Sequence, residues 1–151
     1  MKLVPATELH LKKMMHWFSN EEQLKNWSGP NFRYPFDLQS FTEDVKFKSL
    51  ASFSLCESNT ELLAFGQYYE RKGKCHLGRL VVNPAHRGSG IASTLMQQLC
   101  HQGLNELELK SCSLFVMKHN MSAIKAYEKY GFVFSDYPDE LPLDNCLYMI
   151  K

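Results

Sequence analysis

No stretch of this sequence approaches the roughly 20 consecutive apolar residues of a membrane-spanning helix. The opening residues MKLVPATELHLKK hold no long apolar block between their charges either. Both absences point away from a membrane protein and toward a soluble, cytoplasmic one. Excess charge is missing too: 17 lysines and arginines face 16 aspartates and glutamates, a formal net charge of +1. With no dominant field, nucleic acid and anionic membrane surfaces are poor partners, and a small molecule is the better expectation. No C-x-x-C pair occurs, and the five cysteines (Cys56, Cys75, Cys100, Cys112 and Cys146) are odd in number. Reduced thiols fit that pattern better than a disulfide framework, and no metal site is expected. Repeats and low-complexity linkers are absent, so nothing divides residues 1–151 into more than one domain.

What is present suffices for one core: 44% of the 151 residues are hydrophobic and 13% aromatic. After a short strand at Lys2–Pro5, Thr7 can cap a helix whose Leu11, Met14, Met15 and Phe18 form one apolar face. Asn20 can cap a second over 21–27. An aromatic, proline-containing loop, SGPNFRYPFD, leads to a third over 38–48. The period then changes to that of strands in SFSLCES, LLAFGQYYER and CHLGRLVV. Turn signals at Asn59-Thr60 and Lys72-Gly73-Lys74 make two antiparallel hairpins of these runs. Ala92, Leu95, Met96 and Leu99 mark a helix expected to stop at Gly103. Cys112–Met117 reads as a strand, 120–130 as a helix closed by Gly131, and FVFSD and CLYMIK as two last strands. The class is α+β with an antiparallel beginning.

Residues 83–92, NPAHRGSGIA, fall between a buried strand and the first turn of a helix. A helix N-terminus presents unsatisfied N–H groups and about half a positive charge, and so attracts phosphate wherever the backbone is bare. Gly88 and Gly90 bare it, and Arg87 adds a fixed charge. A Walker loop is excluded, because Gly90 is followed by Ile91 and not by Lys-Ser/Thr. A dinucleotide fingerprint matches at Gly88 and Gly90 but has Ser93 at its third glycine. Its strand also closes a hairpin, so this reading stays only as a weak alternative, with Glu108 as the ribose acid.

Arg87-Gly88-Ser89-Gly90-Ile91-Ala92, preceded by Val82-Asn83-Pro84, resembles the R/Q-x-x-G-x-G/A loop of the GNAT superfamily of N-acetyltransferases. Further along, NMSAIKAYEKYGF, with Asn120, Ala123, Tyr127 and Gly131-Phe132, resembles that superfamily's second signature. The resemblance implies a mixed, mostly antiparallel central sheet of about six to seven strands flanked by helices. The strand before the loop should splay from the strand Cys112–Met117 at the acetyl-CoA site. It also implies acetyl-CoA as cosubstrate. Its pyrophosphate would lie on Arg87, Gly88, Ser89, Gly90, Ile91 and Ala92, with Ser93 and Asn120 as further contacts. Its pantetheine arm would run along the main chain of Leu80, Val81 and Val82.

By the same resemblance the acceptor is an amine of a small molecule or a peptide, the assembly a monomer or homodimer, and Tyr127 the acid that protonates the leaving thiolate. The glutamate that ribosomal-protein acetyltransferases carry before the signature asparagine is here Phe115. His76 and Glu70, both read as exposed strand residues, are then the candidates for a general base, with water as the third. Trp27, Phe32, Tyr34 and Phe36 are candidates to line the acceptor pocket. Asp136, Asp139, Glu140 and Asp144 are candidates to attract a cationic amine. A non-catalytic acyl-CoA sensor, or an interaction module of the same fold, is the competing class.

Overall fold

The protein's structure, a computed structural model, describes residues 1–58 and 61–151. Four helices start where a side chain caps them: α1 (Glu8–Met15), α2 (Glu21–Ser28), α3 (Leu38–Asp44) and α5 (Met121–Tyr130). Their caps are Thr7, Asn20, Asp37 and Asn120, each accepting a first-turn backbone N–H. At α1 the cap is reciprocal, because His10 N–H donates to Thr7 Oγ1 at 3.2 Å and Thr7 N–H donates to His10 Nδ1 at 3.1 Å. The remaining helix, α4 (Ile91–Leu107), has Gly90 at its N-cap and no side-chain cap.

The strands are β1 (Lys2–Pro5), β2 (Ala51–Glu57), β3 (Glu61–Arg71), β4 (Lys74–Val82), β5 (Cys112–Met117), β6 (Val133–Phe134) and β7 (Cys146–Ile150). They form a seven-stranded sheet in the order β1-β2-β3-β4-β5-β7-β6. Every pairing is antiparallel except β4 with β5, which the crossover helix α4 joins. Alternation along the strands gives each face its own core. Leu77, Leu95, Leu99, Leu114 and Ile124 lie in the core under α4 and α5. Leu11, Leu24, Phe41, Phe65 and Val81 lie in the core under α1, α2 and α3.

The expected helices and strands are present, with corrections at their ends. The turn expected at Asn59-Thr60 lies outside the described residues. The helix predicted over 38–48 closes at Asp44, with the Val45 N–H bonded to Phe41 O. The strand expected from FVFSD is ordered as a strand only over Val133–Phe134. Gly103 does not end α4. The helix runs on to Leu107, and Glu108 takes the left-handed conformation beyond it (φ 56°). Gly103 is there for close approach, since a Cβ on it would lie 2.5 Å from Cys75 Sγ and 3.2 Å from the Tyr68 ring. Strand β4 both closes a hairpin with β3 and, contrary to the sequence reading, opens a parallel β4-α4-β5 unit. The dinucleotide reading still lacks its third glycine, which is Ser93, and Glu108 serves as the α4 C-cap.

Candidate active site

The site begins with a defect in β4. Pairing with β3 skips from Phe65–Val81 to Gln67–Gly78, so that Arg79 and Leu80 together oppose Gly66. Arg79 takes the left-handed conformation (φ 49°), as a bulged residue can. A bulge bends and overtwists its strand, and here β4 leaves its neighbour. Its parallel pairing with β5 runs through Cys75–Cys112, His76–Ser113 and Leu77–Leu114 and goes no further. Beyond that point β5 continues alone against β7, through Phe115–Tyr148 to Met117–Cys146. Beyond Leu77, β4 therefore has no strand pairing on the β5 side, and a cleft widens there, the splay expected from the sequence. The bulge was not foreseen, although a glycine inside a strand, here Gly66, is a recognised sign of one.

The loop after β4 leads into the uncapped N-terminus of α4. Asn83 fixes its start, its Oδ1 accepting from Ala85 N–H at 3.0 Å and its Nδ2 donating to Leu62 O at 3.0 Å. Gly88 and Gly90 both have positive φ, 85° and 79°, and a Cβ on either would meet nothing within 4 Å. Two requirements thus converge on glycine: a backbone conformation that side chains resist, and open space above the helix end. Arg87 and Ser93 are exposed, Ala92 is half-buried and Ile91 is in the core. Ser89 Oγ donates to His86 O at 2.7 Å and so tightens the turn. The first-turn N–H groups of α4 and the unpaired edge of β4 are contiguous along the chain.

Tyr127 lies on α5 and packs against the same core as Leu80 and Val82. Its hydroxyl makes no hydrogen bond among the described residues. The side chain is partly exposed, yet atoms crowd the hydroxyl closely enough that desolvation pushes the phenol up to about 12. Its ring meets Phe132 edge-on at 6.3 Å. Asn120 caps α5, Oδ1 accepting from Ala123 N–H at 3.4 Å.

His76 differs from its expected exposure. It is only 2% exposed, and its Nδ1 lies 2.8 Å from Ser113 Oγ. Its ring sits between Tyr69 and Phe115, at 5.4 Å and 4.6 Å. Burial, aided by the nearby Arg71 charge, lowers its pKa to about 3. Glu70 is exposed and next to Tyr69 on β3, so it points to the opposite face of the sheet from Tyr69 and His76. The structure does not bring these two candidates together. Phe32 and Phe36 pack around Phe41 at 5.3 Å and 5.1 Å, Trp27 is sandwiched by Phe18 and Phe41, and Tyr34 is exposed. A groove of about 270 Å³ does lie at the open end of the splay, lined by Lys25, Gly29, Met117, Leu143 and Asp144. Of the acidic loop residues, Asp139 is already bound to Lys72 Nζ at 3.0 Å.

A family model described as the acetyltransferase (GNAT) family matches residues 12–132, well over half of the chain. The chain belongs to the GNAT acetyltransferase family. Solved structures extend the likeness to nearly its whole length. A spermidine N-acetyltransferase from Vibrio cholerae, in complex with CoA and spermine, is 17% identical, with 99% of this chain and 94% of that one covered at a TM-score of 0.74. A ribosomal-protein-alanine N-acetyltransferase from Brucella melitensis is also 17% identical, with 100% and 99% covered at a TM-score of 0.70. At that identity the likeness is one of fold.

Proposed function

We propose that this GNAT protein transfers the acetyl group of acetyl-CoA to a primary amine by direct attack while both are bound. The observation that carries the reading is the convergence of two unpartnered stretches of backbone, the uncapped first turn of α4 and the edge of β4 beyond Leu77. The first suits a pyrophosphate, with N–H groups of residues 87–92, the hydroxyl of Ser93 and Asn120 as its contacts. The second suits the amide-bearing pantetheine arm, through the main chain of Leu80, Val81 and Val82. The amine chemistry of the two structural relatives is a further support for the acceptor class.

Bound acetyl-CoA supplies an activated thioester. A backbone N–H near Val82 stabilises the negative charge that develops on the carbonyl oxygen. Tyr127 donates its proton to the departing sulfur and regains one, through water, from the nitrogen that has attacked; with a pKa of about 12 the phenol stays protonated throughout the neutral range. The amine, with an ordinary pKa of about 10 if it is lysine-like, must arrive deprotonated. His76, whose pKa is about 3, binds protons too weakly to remove that one near neutral pH. Glu70 lies across the sheet, so we assign the proton to water.

Tyr127→Phe tests the acid directly, because it keeps the ring in the core and removes only the hydroxyl. We expect acetyl-CoA affinity by calorimetry to be unchanged and kcat to fall by about 10² or more, as when a positioned proton donor is lost. A kcat within about twofold of the parent, worth under about 1 kcal/mol, would show that Tyr127 is a packing residue only.

A further inference from the structure

The face of the sheet beneath α1, α2 and α3 carries two half-buried arginines with no acidic hydrogen-bond partner among the described residues. Arg79 is the bulged residue of β4, at the point where that strand parts from β5. Among the described residues it makes one hydrogen bond, Nη1 to Gln67 Oε1 at 3.1 Å, and its Nε is buried with no partner. Gln67 is neutral and fixed, its Nε2 donating to Val45 O at 2.7 Å and Ser52 Oγ at 2.9 Å. An acid within electrostatic reach, Asp44, is committed elsewhere: Arg33 Nε, Nη2 and backbone N–H hold both its oxygens at 2.9 to 3.2 Å. Burial accordingly lowers the Arg79 pKa, with Asp44 and Tyr69 only partly opposing it.

Arg71 shares that face. Its Nε donates to Tyr137 Oη at 2.9 Å, its Nη1 donates to Tyr69 Oη at 3.2 Å, and its guanidinium lies 4.9 Å from the Phe115 ring centroid. All three partners are uncharged. His76, between the two arginines, is held neutral, and Asp139 is paired with Lys72 at the hairpin tip. Tyr69, Arg71, Arg79, Phe115 and Tyr137 are all partly exposed, so this face is open to a solute. A desolvated guanidinium with an orphaned N–H is costly, and an arriving carboxylate relieves the cost by accepting from the planar fork of guanidinium donors.

We propose that the acceptor is an amine that also carries a carboxylate, of the amino-acid class, and that Arg79 receives the carboxylate at the mouth of the splay. In an amino acid one carbon separates the two groups, so anchoring the acid at the bulge brings the nitrogen beside the free edge of β4. Arg71 adds positive potential on the same face, which disfavours a polycation. This assignment rests on the acetyl-transfer reading, and the test separates the two.

CoA release is measured from acetyl-CoA with the standard amino acids, with their decarboxylated amines, and with spermidine. Binding of the same compounds is read separately, from the thermal unfolding of the protein with CoA present. We expect the acid member of the productive pairs to have a kcat/KM about tenfold or more above its decarboxylated partner. Arg79→Gln should abolish that preference through KM while leaving acetyl-CoA affinity intact, and Arg79→Lys, which keeps the charge without the fork, should retain part of it. Equal or better use of carboxylate-free amines or spermidine overturns the proposal, as does an unchanged preference in a folded Arg79→Gln protein. If no amine releases CoA, the acetyl-transfer reading fails by itself. The carboxylate site then stands if amino acids raise the melting temperature of the parent and not of Arg79→Gln, and falls if they do not.

Discussion

His76 shows how one residue can lie at a functional position and yet act through its burial. A histidine in a strand just ahead of a glycine loop and helix N-terminus reads as a titratable group near the chemistry. Its environment is a closed one of Tyr69, Phe115 and Ser113, which admits the neutral ring and excludes the charged one. The consequence is a linkage between folding and pH. The pKa falls from 6.5 in the unfolded chain to about 3 in the folded one, so the stability tied to the neutral ring is fully present above about pH 6.5. It is lost as pH falls toward about 3, because only the unfolded chain takes up the proton readily. We expect urea midpoints to drop between about pH 7 and 4, and His76→Asn, which can still bond Ser113 Oγ, to flatten that limb. Parallel acid limbs for the two proteins would place the pH dependence in other groups. Nothing in the sequence distinguished this buried histidine from an exposed one, because its neighbours come from other strands.

Among the elements, α4 joins packing to function through its glycines. The sequence announced the helix and the loop before it, since a strand period, two glycines and an apolar 3.6-residue period follow one another directly. The side-chain caps of α1, α2 and α5 were equally legible, being encoded within a few residues. The sequence misled at Gly103, where a glycine near an expected helix end reads as a C-cap. The tight contact with Cys75 and Tyr68 that requires it is made by β3 and β4. The β4 bulge was hidden for the same reason, since it exists only in the pairing with Gly66. The two uses of glycine separate experimentally. Gly103→Ala, which would gain about 1 kcal/mol in an exposed helix, should instead lower the melting temperature through overpacking, with acetyl-CoA affinity preserved. Gly90→Val should keep the folded sheet and weaken acetyl-CoA binding about tenfold or more, because its side chain fills the space above the α4 N-terminus. A higher melting temperature for Gly103→Ala, or parental affinity in folded Gly90→Val, would contradict these assignments.

At the scale of the molecule, the sheet divides the labour between its faces. The α4 and α5 side holds the core on which Tyr127, Leu80 and Val82 converge. The α1 to α3 side carries the groove at Met117 and the arginines at 71 and 79, and is the side we propose for the acceptor. The family motifs lie wholly on the first side, which is why the glycine loop and the helix it feeds were legible in the sequence and the arrangement of the other face was not. Its residues are scattered over α2, β3, β4, β5 and the segment before β7, and meet only in the fold. The central claim is that these two sides meet in one reaction, at the gap between β4 and β5. The most direct measurement is mass spectrometry of amine acceptors incubated with isotopically labelled acetyl-CoA and the protein, alongside the release of free CoA. We expect acceptor-dependent CoA release matched by labelled acetyl groups on nitrogen. Tight acetyl-CoA binding with no labelled product and no release above the buffer rate, across amines of both charge types, would contradict it.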